Sequence, residues 1–395
     1  MINDIPALYS GTPVRETVLG YGSQSISEAE KAAVGDALEG DYITRGPTVE
    51  EFEARVAELV GVDHAVASTS GTTALHLAGA AAGFGPGDEV ITTPLTFAST
   101  AHAATYNDAT PVFADIDPRR RTLDPDAVRE RVTDDTEGLI PMHYGGHPAD
   151  IDALLSVADD HDLTVVWDAC HAFGGTWHDE PIGAQRDMAI FSFHPVKNIT
   201  TGEGGMVVTD DDDLAARLRR LRSFDMNYDP DGHEDEPWYQ VTEGIGYNYN
   251  LTDLQAALGL AQLERLDAFK QRRDEVRDRY DAAFADIVGI RTPPNPLDAD
   301  PMYHLYAIEV SDAFGCDRGE FVNAMHAENV GVQVHYVPLH YHPYFQEKFG
   351  YEPGEFPESE AVYERLVSLP FHAEMDDSDV DDVVTAVQRL STYHQ

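Results

Sequence analysis

Two cysteines in 395 residues, Cys170 and Cys316, lie far apart in the chain. They exclude a disulfide framework and every cysteine-based zinc spacing, and they fit a reducing cytoplasm. No apolar run approaches the length of a membrane span, and the amino terminus has no basic stretch followed by an apolar one, so neither a spanning helix nor a secretory signal is expected. Lysine is nearly absent: Lys31, Lys197, Lys270 and Lys348 are the whole set, and the other basic residues are arginines. Against 26 Lys plus Arg stand 71 Asp plus Glu, a formal net charge of -45. Such a field repels DNA, RNA and anionic lipid, which excludes nucleic-acid and membrane-surface partners. An acidic surface almost free of lysine suits concentrated salt, where screening weakens self-repulsion. The chain is not a disordered acidic polymer, because 42% of it is hydrophobic and apolar periodicity runs through its whole length.

What is present reads as an α/β enzyme. Ser27-Glu28-Ala29-Glu30 is a capping pattern ahead of an amphipathic helix over 25–38. Phe52, Val56, Leu59 and Val60 mark one face of a second helix that ends before Gly61. Short apolar strands follow at 64–67, 89–93, 110–115, 138–141, 164–168, 188–193 and 205–209. Helices alternate with them at 73–82, 98–105, 126–132, 151–160 and 214–222. Near-continuous apolar strands separated by helices predict a mainly parallel sheet covered on both faces. A polar, acidic stretch over 227–240 interrupts this rhythm as a surface loop with a possible part in lining the site. One helix is then predicted over 252–269, a Pro-rich entry to a smaller domain over 292–301, strands at 306–310 and 332–336, and a closing helix over 378–390.

The chemistry concentrates in three segments. Phe191-Ser192-Phe193-His194-Pro195-Val196-Lys197 leaves a buried strand and precedes the glycine-rich Thr201-Gly202-Glu203-Gly204-Gly205. A lysine there is either an exposed loop residue or, as its scarcity and neighbours favour, placed to be desolvated, which lowers an amine's pKa and makes it a nucleophile toward an aldehyde. Asp168 stands at the carboxyl end of a strand, where open parallel sheets collect ligands. A carboxylate at that point can pair with a protonated pyridine nitrogen, although a helix cap would explain it equally well. His171 can reach a phenolic oxygen or simply satisfy backbone groups. Ser68-Thr69-Ser70-Gly71-Thr72-Thr73 is a strand-to-helix turn of small residues whose helix presents free amides to an anion. Gly71 and Thr72, with the Ser192 hydroxyl, are candidate phosphate binders, although a capped helix alone would explain the turn equally well, and it lacks the Walker lysine pattern. Phe97 can cover a ring face or pack in the core. His335, His340 and His342 have spacings that suit metal ligands, but no carboxylate pair or cysteine accompanies them, so no metal is expected.

Taken together, these segments resemble the DegT/DnrJ/EryC1/StrS family of sugar aminotransferases. The matches run in order from Thr44-Arg45-Gly46-Pro47 and Ser70-Gly71-Thr72-Thr73-Ala74-Leu75 through Pro94-Leu95-Thr96-Phe97, Pro111-Val112-Phe113-Ala114-Asp115 and Asp168-Ala169-Cys170-His171. They continue through the Lys197 segment, Gly246-Tyr247-Asn248-Tyr249-Asn250-Leu251-Thr252-Asp253, His335-Tyr336-Val337-Pro338-Leu339-His340 and Leu369-Pro370. The resemblance implies the three-layer aminotransferase fold type I, with an N-terminal arm and large cofactor domain over 1–265 and a small α+β domain over 266–395. It implies pyridoxal 5′-phosphate as cofactor, Lys197 as its Schiff-base lysine, Asp168 on the pyridine nitrogen, His171 on the ring hydroxyl and Phe97 stacked on the ring. Gly71, Thr72 and Ser192 match phosphate-binding positions. The family builds its sites at a homodimer interface, so Asn248 or Asn250 is implied to reach the partner's phosphate. The implied reaction aminates a keto-sugar, nucleoside-diphosphate-linked at a 3- or 4-keto position, with glutamate as donor. A keto-cyclitol acceptor preserves the same residues; a sugar dehydratase typically has histidine where Lys197 stands; a non-catalytic signalling protein would not need the intact set.

Overall fold

The structure, a computed structural model, describes residues 5–228, 233, 235–295 and 298–395. Seven strands form the central sheet: β1 His64–Ser68, β2 Glu89–Thr92, β3 Thr110–Phe113, β4 Thr136–Leu139, β5 Thr164–Asp168, β6 Met188–Ser192 and β7 Gly205–Thr209. Their order is β1-β7-β6-β5-β4-β2-β3. β3, β2, β4, β5 and β6 run parallel, and β7 lies antiparallel between β1 and β6. Successive side chains of a strand face opposite sides, and here both sides are apolar. Val66, Val166, Ile190 and Val207 meet Leu75, Leu77 and Ala78 of helix Gly71–Ala82 on one face. Ala65, Ala67, Val165, Trp167 and Phe191 meet Phe52, Val56 and Leu154 on the other. The result is a helix–sheet–helix sandwich, which requires the near-continuous apolar strands seen in the sequence. Among the described residues no helix is long and apolar enough to cross a membrane.

Helix Pro47–Val60 ends as predicted at Gly61, which takes a left-handed conformation at φ 80°. The capping box at Ser27 and Glu30 also forms, starting helix Glu28–Glu39. Two expectations fail. The single helix predicted over 252–269 is two, Asp253–Leu263 and Leu266–Phe284, because Arg265 leaves helical geometry (φ -109°, ψ 1°) and pairs at 2.7 Å with Glu30, whose side chain is buried. No strand forms over 332–336: only Gln333 bridges, to Ser368, while Val332 packs in a second core and Tyr336 turns toward the site described below. That bridge leads to a strand absent from the sequence reading, Leu366–Leu369, which pairs with Tyr306–Val310. Helix Leu266–Phe284 spans both cores, with Leu266 and Phe269 in the first and Val276, Tyr280 and Phe284 in the second.

Two of the matched motifs are joined by one buried carboxylate. Asp253, fully buried at the start of its helix, accepts from the Gly46 amide at 2.9 Å and the Thr48 amide at 3.1 Å. A Cβ on Gly46 would stand 2.7 Å from Asp253 Oδ1, so the glycine is required for the approach. Asp253→Ala strands both amides at the start of helix Pro47–Val60. It is expected to destabilise the fold by about 2 kcal/mol, read as a lower urea midpoint with an unchanged slope.

Candidate active site

In open α/β sheets ligands collect outside the carboxyl ends of the strands. Here the ends of β1, β2, β5 and β6 open on one cavity of about 580 Å³. Seven predicted site residues line it: Gly71, Thr72, Phe97, Asp168, His171, Ser192 and Lys197.

Lys197 follows β6 in a loop that folds back on itself. Its amide donates to the His194 carbonyl at 2.9 Å, and Thr201 returns to the Phe193 carbonyl at 3.0 Å. The Lys197 amine has no hydrogen-bond or ion-pair partner among the described residues. Desolvation draws its pKa below the ordinary lysine value, against a partial pull upward from Cys170 and Asp168. The other lysines are engaged elsewhere: Lys31 with Glu28, Lys270 with Asp274 and Asp300, and Lys348 with the Tyr344 hydroxyl.

Asp168 closes β5 and is only 2% exposed. Thr100 Oγ1 donates to Oδ2 at 2.6 Å and the Cys170 amide donates to Oδ1 at 3.1 Å, which fixes the carboxylate plane. No helix begins behind it, so the helix-cap explanation does not hold. A buried carboxylate with neutral donors and no ion-pair partner among the described residues is suited to a cationic partner entering the cavity.

The turn after β1 opens helix Gly71–Ala82 with a capping box: Ser70 Oγ accepts from the Thr73 amide at 3.2 Å, and Thr73 Oγ1 accepts from the Ser70 amide at 2.9 Å. The Gly71 and Thr72 amides remain at the helix N-terminus, where no intrahelical acceptor exists. A Cβ at Gly71 would lie 2.8 Å from Ser192 Cβ, so the turn and β6 meet only because residue 71 is glycine. Phe97 stands at the mouth, 53% exposed, ahead of helix Ala98–Thr105.

His171 is buried, and both ring nitrogens are occupied. Nδ1 accepts from the Gly145 amide at 3.2 Å, and Nε2 lies 3.1 Å from the Tyr336 hydroxyl. Desolvation, with the Lys197 and His335 charges, holds it well below the ordinary histidine pKa. The far wall comes from segments the sequence did not single out for this cavity: Tyr21, His304 and the His335-Tyr336 pair. The His304 ring is 4.4 Å from that of His171, and its Nδ1 is buried without a hydrogen-bond partner among the described residues. In the sequence His335 stood out only for a metal-like spacing and Tyr336 only within a predicted strand and a matched segment, and nothing marked Tyr21 or His304.

Asn248 and Asn250 lie outside this cavity. Asn250 bonds to Ser223 and Asn248 and lines a separate pocket of about 320 Å³ with Arg45, Arg222 and Tyr228. Of the acidic stretch over 227–240, residues 229–232 and 234 lie outside the described residues, and none of the described ones lines the Lys197 cavity. In the Pro-rich entry, 296–297 also lie outside them. The three histidines of metal-like spacing take different partners: His335 bonds to Ser368, His340 to Glu360 and His342 to the Val337 carbonyl.

An unpartnered amine, a buried carboxylate and an anion-binding turn in one cavity fit the aldehyde, pyridine nitrogen and phosphate of pyridoxal phosphate. Comparison with known proteins agrees. The model of the DegT/DnrJ/EryC1/StrS aminotransferase family matches residues 24–388. The chain is 44% identical over 384 residues to the spore coat polysaccharide biosynthesis protein SpsC of Bacillus subtilis (strain 168), covering 95% of this chain and 98% of that one. It is similar to the solved structure of DesI in the presence of its TDP-sugar product, with 33% identity, a TM-score of 0.86, and 97% and 95% of the two chains covered. It is also similar to the PLP-form of the sugar aminotransferase Spr1654 from Streptococcus pneumoniae, described as putative, with 28% identity, a TM-score of 0.89, and 96% and 100% covered.

Proposed function

The chain belongs to the DegT/DnrJ/EryC1/StrS aminotransferase family, and from that premise we propose that it aminates a nucleoside-diphosphate-linked 3- or 4-keto sugar with glutamate as donor. It is a pyridoxal-phosphate-dependent aminotransferase. The observation that carries the nucleotide-sugar reading is the whole-length likeness to DesI, solved with a TDP-sugar product. The likeness to a polysaccharide biosynthesis protein supports the same substrate class.

When bound, pyridoxal phosphate supplies an electron sink for negative charge at the substrate's reacting carbon. Lys197 would be the amine that holds its aldehyde and, as a base, would move a proton between that carbon and the cofactor's C4′. Desolvation shifts Lys197 toward the neutral amine that a base requires. Asp168, fixed by Thr100 and Cys170, keeps the proton on the pyridine nitrogen. The Gly71 and Thr72 amides and the Ser192 hydroxyl hold the phosphate, and Phe97 covers the ring and screens it from water. The chain works as a cytoplasmic homodimer in high salt, with Asn248 or Asn250 of each copy completing the phosphate site of the other.

The test is an acceptor panel offered to the enzyme loaded with pyridoxamine phosphate, with products separated by stereochemistry. Amination of a nucleoside-diphosphate-linked keto-hexose is expected. Turnover of a keto-cyclitol with none of the nucleotide-linked sugars would overturn the substrate assignment.

A further inference from the structure

The tautomer of His171 is determined by its surroundings. The Gly145 amide can only donate, so Nδ1 carries a lone pair. A ring whose Nδ1 accepts carries its one proton on Nε2, which lies 3.1 Å from the Tyr336 hydroxyl. Tyr336 oxygen therefore accepts, and its own proton has no acceptor among the described residues. The one N–H of His171 is spent, while a hydroxyl beside it, lining the same cavity as Asp168 and Lys197, has a proton to give.

We infer that Tyr336, oriented by His171, donates the hydrogen bond to the phenolic oxygen of pyridoxal phosphate. The inference rests on the proposed roles of Lys197 and Asp168. With the aldehyde at Lys197, the ring nitrogen at Asp168 and the phosphate arm on the Gly71 turn, the cofactor's substitution pattern leaves the phenolic oxygen on the side of the ring away from the phosphate. His171 thus acts as a positioning residue, and the contact itself belongs to a side chain from a different segment of the chain. Tyr336 is held in place by its ring contacts, 5.8 Å from Phe97 and 6.2 Å from His171.

The titratable groups facing Tyr336 are Asp168, Cys170, His171 and Lys197 from the sheet side. From the other wall come His304, His335, Tyr21 and Tyr144. Burial holds the three histidines below their ordinary range and the Cys170 thiol and the tyrosines above theirs. Those shifts move the histidines, the thiol and the tyrosines away from neutrality, so a titration seen there is read from the cofactor's own absorbance.

The experiment is a pH titration of the visible absorbance of the cofactor-loaded Tyr336→Phe protein beside its parent. The high-pH form carries unshared negative charge on the phenolic oxygen, and a donor stabilises that form more than the protonated one. Removing the donor is expected to raise the midpoint by about one pH unit. The substitution keeps the ring and its packing, and matching thermal melts will show that the fold is intact. A midpoint within about 0.2 unit of the parent, against the full unit expected from a lost charge-assisted contact, overturns the inference. A parent protein with no cofactor absorbance overturns the cofactor reading of Lys197, and this inference with it.

Discussion

Lys197→Ala is expected to lower turnover by at least about 10⁴-fold while leaving noncovalent cofactor binding in place. The size follows from the two tasks assigned to one amine, holding the aldehyde and moving the proton, and from the lack of any substitute. The other three lysines are paired with partners outside the cavity. The phosphate turn and Asp168 do not touch the Lys197 amine through any hydrogen bond, so their geometry survives its removal. Absorbance of the purified, cofactor-loaded variant, with single-turnover assays of each half-reaction, separates binding from chemistry. Normal transamination by that protein would remove Lys197 from its role.

Asp168→Asn is the second large effect. The change keeps the size of the side chain but removes its charge, and the new amide must face either the Thr100 hydroxyl or the Cys170 amide, both of which donate. A charge-assisted contact to a ring nitrogen contributes about 1.5–3 kcal/mol, so turnover is expected to fall roughly 10²-fold, with weaker cofactor retention. Retained activity together with unchanged affinity for pyridoxal phosphate would show that the carboxylate serves only to shape the local turn.

The parts of the site that were legible in the sequence are those built from contiguous segments. Lys197, Asp168 and Gly71 each lie at or just beyond the end of an apolar strand, and a parallel sheet brings such ends together whatever the rest of the chain does. Tyr21, His304 and Tyr336 could not be read that way, because they reach the cavity from segments outside the parallel sheet, brought in by tertiary packing such as that of Tyr336 on the Leu95 and Tyr144 cluster. The same cause explains the failures in the fold. Nothing local to Glu264 and Arg265 stops a helix; the break is set by the buried Glu30, more than two hundred residues earlier. Val332 looks like part of a strand, yet its apolar side chain serves the second core while the backbone around it pairs only at Gln333. Leu366–Leu369 follows helix Pro357–Arg365 directly and continues its apolar spacing, so only the pairing with Tyr306–Val310 identifies it as a strand.

The near-absence of lysine also makes the protein chemically selective toward amine reagents. Lys31 and Lys270 carry carboxylate partners, and Lys348 lies over the Tyr344 and Phe349 rings. The amine in the cavity is the one that burial shifts toward its neutral, nucleophilic form. Mild hydride reduction of the cofactor-loaded protein would therefore fix the cofactor to the Lys197 peptide, since the other three lysines are paired outside the cavity.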